Sequence, residues 1–96
     1  MSRARNQAVN LFISRLSFYT NKEDLRNMFL PFGNILEARL VNDPKTGRHK
    51  GFGFVKFESE IEASNAIKAM NGRIVEGRLI FVEVANPEKE DAGDAR

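Results

Sequence analysis

The sequence predicts an α+β fold, a four-stranded antiparallel sheet with two helices on one face, its elements running β-α-β-β-α-β. Three observations carry this. Four stretches alternate residue character with the period of two that a strand requires, two others repeat apolar residues at helical spacing behind capping signatures, and turn formers separate them. At 96 residues the chain has room for one hydrophobic core and not two, so the elements are expected to form one domain over residues 9–85.

The first strand is expected over Val9 to Ser14, with Val9, Leu11 and Ile13 on one face and Asn10, Phe12 and Ser14 on the other. Thr20 and Glu23 have the spacing of a capping box, and Leu25, Met28 and Phe29 follow at helical spacing. This predicts a first helix from Asn21 to Leu30, stopped by Pro31 and turned by Gly33. A second strand fits Ile35 to Val41, with Leu36, Ala38 and Leu40 against Glu37, Arg39 and Val41. Asp43, Pro44, Thr46 and Gly47 are turn formers, and Lys45, Arg48, His49 and Lys50 make the connection basic. The third strand is expected over Gly51 to Glu58. Ser59 and Glu62 supply a second capping box, followed by Ala63, Ala66, Ile67 and Met70, whose stripe ends at Asn71 and Gly72. Leu79 to Val84 is the last strand, with Ile80, Val82 and Val84 opposed to Phe81 and Glu83. Residues 1–8 and the acidic 86–96 lack apolar periodicity and are expected to be flexible. This order is the ferredoxin-like sandwich, and right-handed crossovers put both helices on the same side, leaving one sheet face open.

Charge and composition narrow the function. There is no cysteine, which removes disulfides, thiolate metal sites and cysteine nucleophiles, and no cofactor is expected. The net charge is +2, but residues 86–96 carry −2, leaving +4 on the rest. Between Arg39 and Lys56 the cations Arg39, Lys45, Arg48, Lys50 and Lys56 face one acid, Asp43, a surplus suited to a polyanion. No stretch approaches the length of a membrane span, and no membrane partner is expected.

The open face should be polar, yet alternation along Lys50 to Phe57 groups Lys50, Phe52, Phe54 and Lys56 against Gly53, Val55 and Phe57. The lysines mark the first group as the outer one. Val55 and Phe57 are then core, while Phe52 and Phe54 are expected to face water beside Phe12. Exposed aromatic rings among cations suit single-stranded nucleic acid, because a base stacks on the ring while Lys and Arg neutralise phosphate.

The segment KGFGFVKF, from Lys50 to Phe57, fits the longer signature of the RNA recognition motif, and LFISRL, from Leu11 to Leu16, is similar to its shorter one. The resemblance implies single-stranded RNA as partner, with single-stranded DNA as a further candidate. Phe12 and Phe54 would carry adjacent bases, Phe52 would touch the sugars between them, and Lys50 would pair with phosphate. Asn10, Arg39, Lys56, Phe81 and Glu83 occupy sheet positions that add contacts, Val84 to Asn86 offer backbone groups to a base edge, and Arg48 adds a cation from the loop. Arg15 departs from the Asn or Gly usual in the shorter signature. LFISRLSFYT, PFGNILEARLV and GRLIFVEVA also resemble the single-motif RNA-binding proteins of plant chloroplasts and mitochondria. That resemblance implies an organellar location, a role in RNA editing or processing, and a transit peptide removed ahead of Met1.

An enzyme is the first alternative, since small phosphatases share this element order, but the one histidine, His49, lies alone in the basic loop and is expected to be solvated. No catalytic role is expected. A protein-binding module of the same fold is the second. Its partner would use the helical face, where Leu30, Phe18 and Tyr19 are candidates, although core or loop packing is the expected fate of each. A monomer is expected.

Overall fold

A computed structural model describes residues 8–85. The segment before Ala8 and the acidic segment from Asn86, both expected to be flexible, lie outside the described residues. In chain order the elements are β1 (Val9–Ser14), α1 (Lys22–Phe29), β2 (Ile35–Asn42), β3 (His49–Phe57), α2 (Glu60–Met70), β4 (Ile74–Val75), β5 (Arg78–Leu79) and β6 (Phe81–Val84). A 3₁₀ turn over Leu30–Phe32 ends α1, where Pro31 cannot continue the helix. The main sheet is antiparallel in the order β2-β3-β1-β6, with α1 packed on β2 and β3 and α2 on β1, β3 and β6. This is the ferredoxin-like arrangement expected.

The core lies between sheet and helices. Leu11, Ile13, Val55, Phe57 and Val82 from the strands meet Leu25 and Phe29 of α1 and Ala63, Ala66 and Met70 of α2. The Phe29 and Phe57 rings meet edge to face at 6.3 Å, a favoured aromatic geometry. Gly53 is part of this face. A Cβ there would lie 2.5 Å from the Arg39 carbonyl oxygen and 3.3 Å from Leu25 Cδ2, so helix and strand approach because it has none.

Four local expectations are corrected. The capping box of α1 starts one residue later than expected: Asp24 N–H donates to Asn21 Oδ1 at 2.7 Å, and Asn21 N–H donates to Asp24 Oδ2 at 3.3 Å. Thr20 is buried and its hydroxyl donates instead to Glu76 Oε1 at 2.5 Å, tying the loop after β1 to the β4–β5 turn. Leu36 is exposed, because a bulge between Ile35 and Glu37 makes Ile35 the core residue opposite Phe57. Val84 opposes Leu11 at the end of an edge strand and is likewise exposed, since a strand neighbour on one side alone cannot cover it. The β4–β5 hairpin is an addition to the expected order, its two-residue strands being too short to show a period.

Ser59 Oγ caps α2 by accepting from Glu62 N–H. At the other end Asn71 closes the helix and its side-chain Oδ1 accepts from Val82 N–H at 2.9 Å. Gly72 N–H donates to the Ile80 carbonyl and Ile80 N–H to that of Arg73, so residues 71–73 run along the outer side of the last strand.

Candidate nucleic-acid interface

Opposed residues of antiparallel strands share a face, so the register lays out the open side of the sheet as three rows. Arg39, Phe54, Phe12 and Glu83 form the central row across β2, β3, β1 and β6. Glu37, Lys56 and Asn10 form the second, and Phe52, Ser14 and Phe81 the third. The structure therefore brings together Phe12, Phe52, Phe54, Asn10, Arg39, Lys56, Phe81 and Glu83. Ser14, between Phe52 and Phe81, belongs with them by the same alternation and had not been singled out.

The Phe12 centroid is 5.4 Å from that of Phe52 and 5.4 Å from that of Phe54, tilted 51° to each. Phe12 and Phe52 are partly exposed and Phe81 is 41% exposed. Phe54 is 3% exposed, which corrects the expectation that its ring faces water. The ring lies on the outer side of the sheet but is covered there. The Arg39 guanidinium carbon sits 4.5 Å from its centroid, a cation–π contact with the strand neighbour, and Phe12 closes another side. Glu37 Oε2 lies 3.7 Å from Arg39 Nε and favours that placement of the guanidinium. Arg39 and Phe12 thus both lie against the Phe54 ring on this side of the sheet.

Lys50 and Arg48 lie elsewhere. Leu40 pairs with Gly53 and Asn42 with His49, so four residue steps of β3 run against two of β2, and Gly51 has φ +91°. This irregularity interrupts the alternation below Phe52. Lys50 and Arg48 line a cleft at the end of the sheet between the β1–α1 and β2–β3 loops, together with Phe18, Tyr19 and His49. Phe18, Tyr19 and Leu30 are all exposed, contrary to the packing expected of them. His49 is not solvated as expected: it is partly buried, its Nδ1 accepts from Gly51 N–H at 2.9 Å, and its Nε2 is buried with no partner among the described residues.

Arg15 has φ +64°, the left-handed conformation that Gly and Asn adopt at least cost, so the departure from the shorter signature falls on a residue whose backbone favours those types. Its carbonyl accepts from Arg78 Nε at 3.2 Å, and its guanidinium carbon lies 5.9 Å from the Phe81 centroid, which adds a cation beside the third row.

A model of the RNA recognition motif matches residues 11–81, which include every row residue except Asn10 and Glu83. The chain belongs to the RNA recognition motif family. It is 42% identical over 80 residues to the organelle RRM domain-containing protein 6, chloroplastic, of Arabidopsis thaliana, covering 83% of this chain and 44% of that protein. It is 43% identical over 81 residues to the glycine-rich RNA-binding protein 4, mitochondrial, of the same plant, covering 84% and 60%. The motif thus spans less than two thirds of these relatives' lengths. Among solved structures, the second RRM domain of the yeast poly(U)-binding protein superposes with a TM-score of 0.76 at 36% identity, covering 81% of this chain and 94% of that one.

Proposed function

We propose that this RNA recognition motif binds single-stranded RNA on its open sheet face, as a monomer and without catalysis. The observation that carries this is the ring group Phe12, Phe52 and Phe54 on the side of the sheet away from the helices, bordered by Arg39 and Lys56. In water such rings gain nothing from exposure, whereas each stacked base contributes about 1–3 kcal/mol. Phe12 and Phe52 offer immediate surface. Phe54 becomes a second platform when Arg39 swings off its ring to meet phosphate, so that one movement opens a stacking surface and supplies a counter-charge. Lys56, Asn10, Glu83, Phe81 and Ser14 border the path, and Arg48 and Lys50 extend its positive end.

The family model and the RNA-binding relatives support RNA as the ligand. The relatives' chloroplastic and mitochondrial names support an organellar location, and we place the motif in the editing or processing of transcripts there. A helical surface for protein partners is supported by exposed Leu30, after α1, and Ile61, on α2. Both lie off the rows, so such a partner would not compete with RNA.

Fluorescence anisotropy with a labelled short RNA tests the reading. Phe12→Ala should weaken binding by about 1–3 kcal/mol, the loss of one stacked base, with the circular dichroism of the parent retained. Unchanged affinity in a folded Phe12→Ala variant would remove the sheet face from the binding site. Single-stranded DNA of the same sequence, as competitor, measures the contribution of the ribose hydroxyls.

A further inference from the structure

His49 sits where the basic loop after β2 joins β3, and its ring is held in a way that depends on its charge. Nδ1 accepts from the Gly51 N–H at 2.9 Å, so the bond exists only while that nitrogen carries no hydrogen. The neutral ring then has its hydrogen on Nε2, which is buried with no partner among the described residues. Adding a proton turns Nδ1 into a donor facing another donor. Flipping the ring does not restore the contact, because the flip puts a carbon where Nδ1 was. Protonation therefore breaks this bond whichever way the ring lies.

Gly51 is the point at which the start of β3 is tied down. Its carbonyl accepts from Leu16 N–H at 2.8 Å, just after β1, its N–H is taken by His49, and its φ of +91° directs both groups. The residue is buried, and a buried amide deserted by its acceptor costs free energy until the backbone moves to find water. On the loop side the chain is braced within itself. Asp43 N–H donates to the Arg48 carbonyl at 2.7 Å, Gly47 N–H to the Asp43 carbonyl at 2.8 Å and Lys45 N–H to Asp43 Oδ1 at 2.9 Å. Residues 43–48 thus form one braced unit, and residues 49–51 join it to the regular pairing that begins at Leu40 and Gly53. The bond from Gly51 to His49 spans that joint.

The charges around the ring come from each element that borders it. Asp43, Arg48 and Lys50 share its cleft from the loop and the strand, and Tyr19 shares it from the β1–α1 loop. The Phe18 centroid is 5.8 Å from that of His49, tilted 35°, and Arg78 lies 5.8 Å from the same Phe18 ring. A protonated imidazole meets Phe18 as a cation beside an aromatic ring, so the acid form has a contact to keep once it lets Gly51 go.

We propose that His49 is a pH-operated clasp: its neutral ring holds the basic loop to β3 through Gly51, and its protonation lets residues 43–50 move as a unit. The clasp does not depend on what the sheet binds. Its effect on RNA rests on the proposed reading, in which Arg48 and Lys50 extend the path, because a loop already fixed spares the cost of ordering it on binding.

The single histidine makes the test direct. In amide spectra of the isotope-labelled full chain between about pH 5 and 8, where imidazoles change charge, Gly51 and residues 43–48 should shift with the same midpoint as the His49 ring protons. His49→Asn keeps an acceptor the same number of bonds from the backbone, in the arrangement of an Asx turn, and has no proton to gain, so these signals should stay put. His49→Leu has neither acceptor nor charge, and at about pH 8 its loop signals should lie where acid puts those of the parent. Gly51 and the loop standing still while the His49 ring titrates would overturn the clasp, as would a parental pH response in His49→Asn. By anisotropy at about pH 8, His49→Leu should bind RNA about fivefold more weakly, the weight of one net hydrogen bond, with His49→Asn at parental affinity. Parental affinity in His49→Leu would overturn the effect on RNA. Full binding by Phe12→Ala would overturn the sheet reading instead and leave the spectral response as it is.

Discussion

Arg39 is the residue whose removal separates two roles that act in opposite directions. As a cover, it must leave the Phe54 ring before a base can stack there, and a cation–π contact at a surface site is worth about 0.5–1 kcal/mol, or about two- to fivefold in affinity. As a cation, it neutralises about one phosphate, which on a single strand contributes about 0.7 to the slope of log affinity against log salt. Arg39→Ala removes both. At low salt the variant should bind more weakly, because the ionic contribution dominates. Over a tenfold rise in salt that contribution falls by about fivefold, so the two lines should cross, with the variant equal to or tighter than the parent at high salt. Arg39→Lys, which keeps the charge without the planar guanidinium, should retain the parental slope and bind tighter throughout. The Arg39 side chain is 38% exposed, so neither change threatens the core. The assay is anisotropy of a labelled RNA across a salt series. Parallel lines with Arg39→Ala weaker by a constant factor would refute the argument, since they would make Arg39 a reader of base edges and not a cover.

Two predictions concern the fold beneath the face. Phe57→Ala should destabilise the domain by about 3–5 kcal/mol, because the ring is wholly buried against Phe29, and a thermal melt at the parental midpoint would contradict its place in the core. Asn21→Ala should cost about 1 kcal/mol in urea unfolding through loss of the bond from Asp24 N–H, and an equal loss from Glu23→Ala with none from Asn21→Ala would restore the box to Thr20 and Glu23.

Strand alternation made much of the interface legible in advance. Once the lysines of KGFGFVKF mark the outer side, Val55 and Phe57 are assigned to the core and Phe52 and Phe54 to the opposite face, and the register agrees. What alternation does not carry is the neighbour across the strand. The pairing of Arg39 with Phe54 depends on the bulge at Leu36, which slides β2 by one residue, and no pattern in the β2 sequence announces a bulge. Lys50 shows the same limit, since irregular pairing around Gly51 interrupts the period that groups it with Phe52 in the sequence. The cap of α1 was misplaced by one position because Thr20, Asn21, Glu23 and Asp24 offer two overlapping boxes. Long-range chemistry decides between them: the Thr20 hydroxyl is engaged 56 residues away by Glu76. Phe18 and Tyr19 read as packing residues because aromatics usually are, and only the loop geometry leaves them outside.

The segment 71–73 along β6 has a consequence for self-association. An uncovered strand margin is a template on which another chain can extend the ladder. Here the Asn71 amide occupies the Val82 N–H and the neighbouring backbone engages Ile80, while the far margin at β2 is kinked by irregular pairing near both its ends. A second copy meets groups already engaged at Ile80 and Val82 and so finds little on the β6 margin from which to extend the ladder.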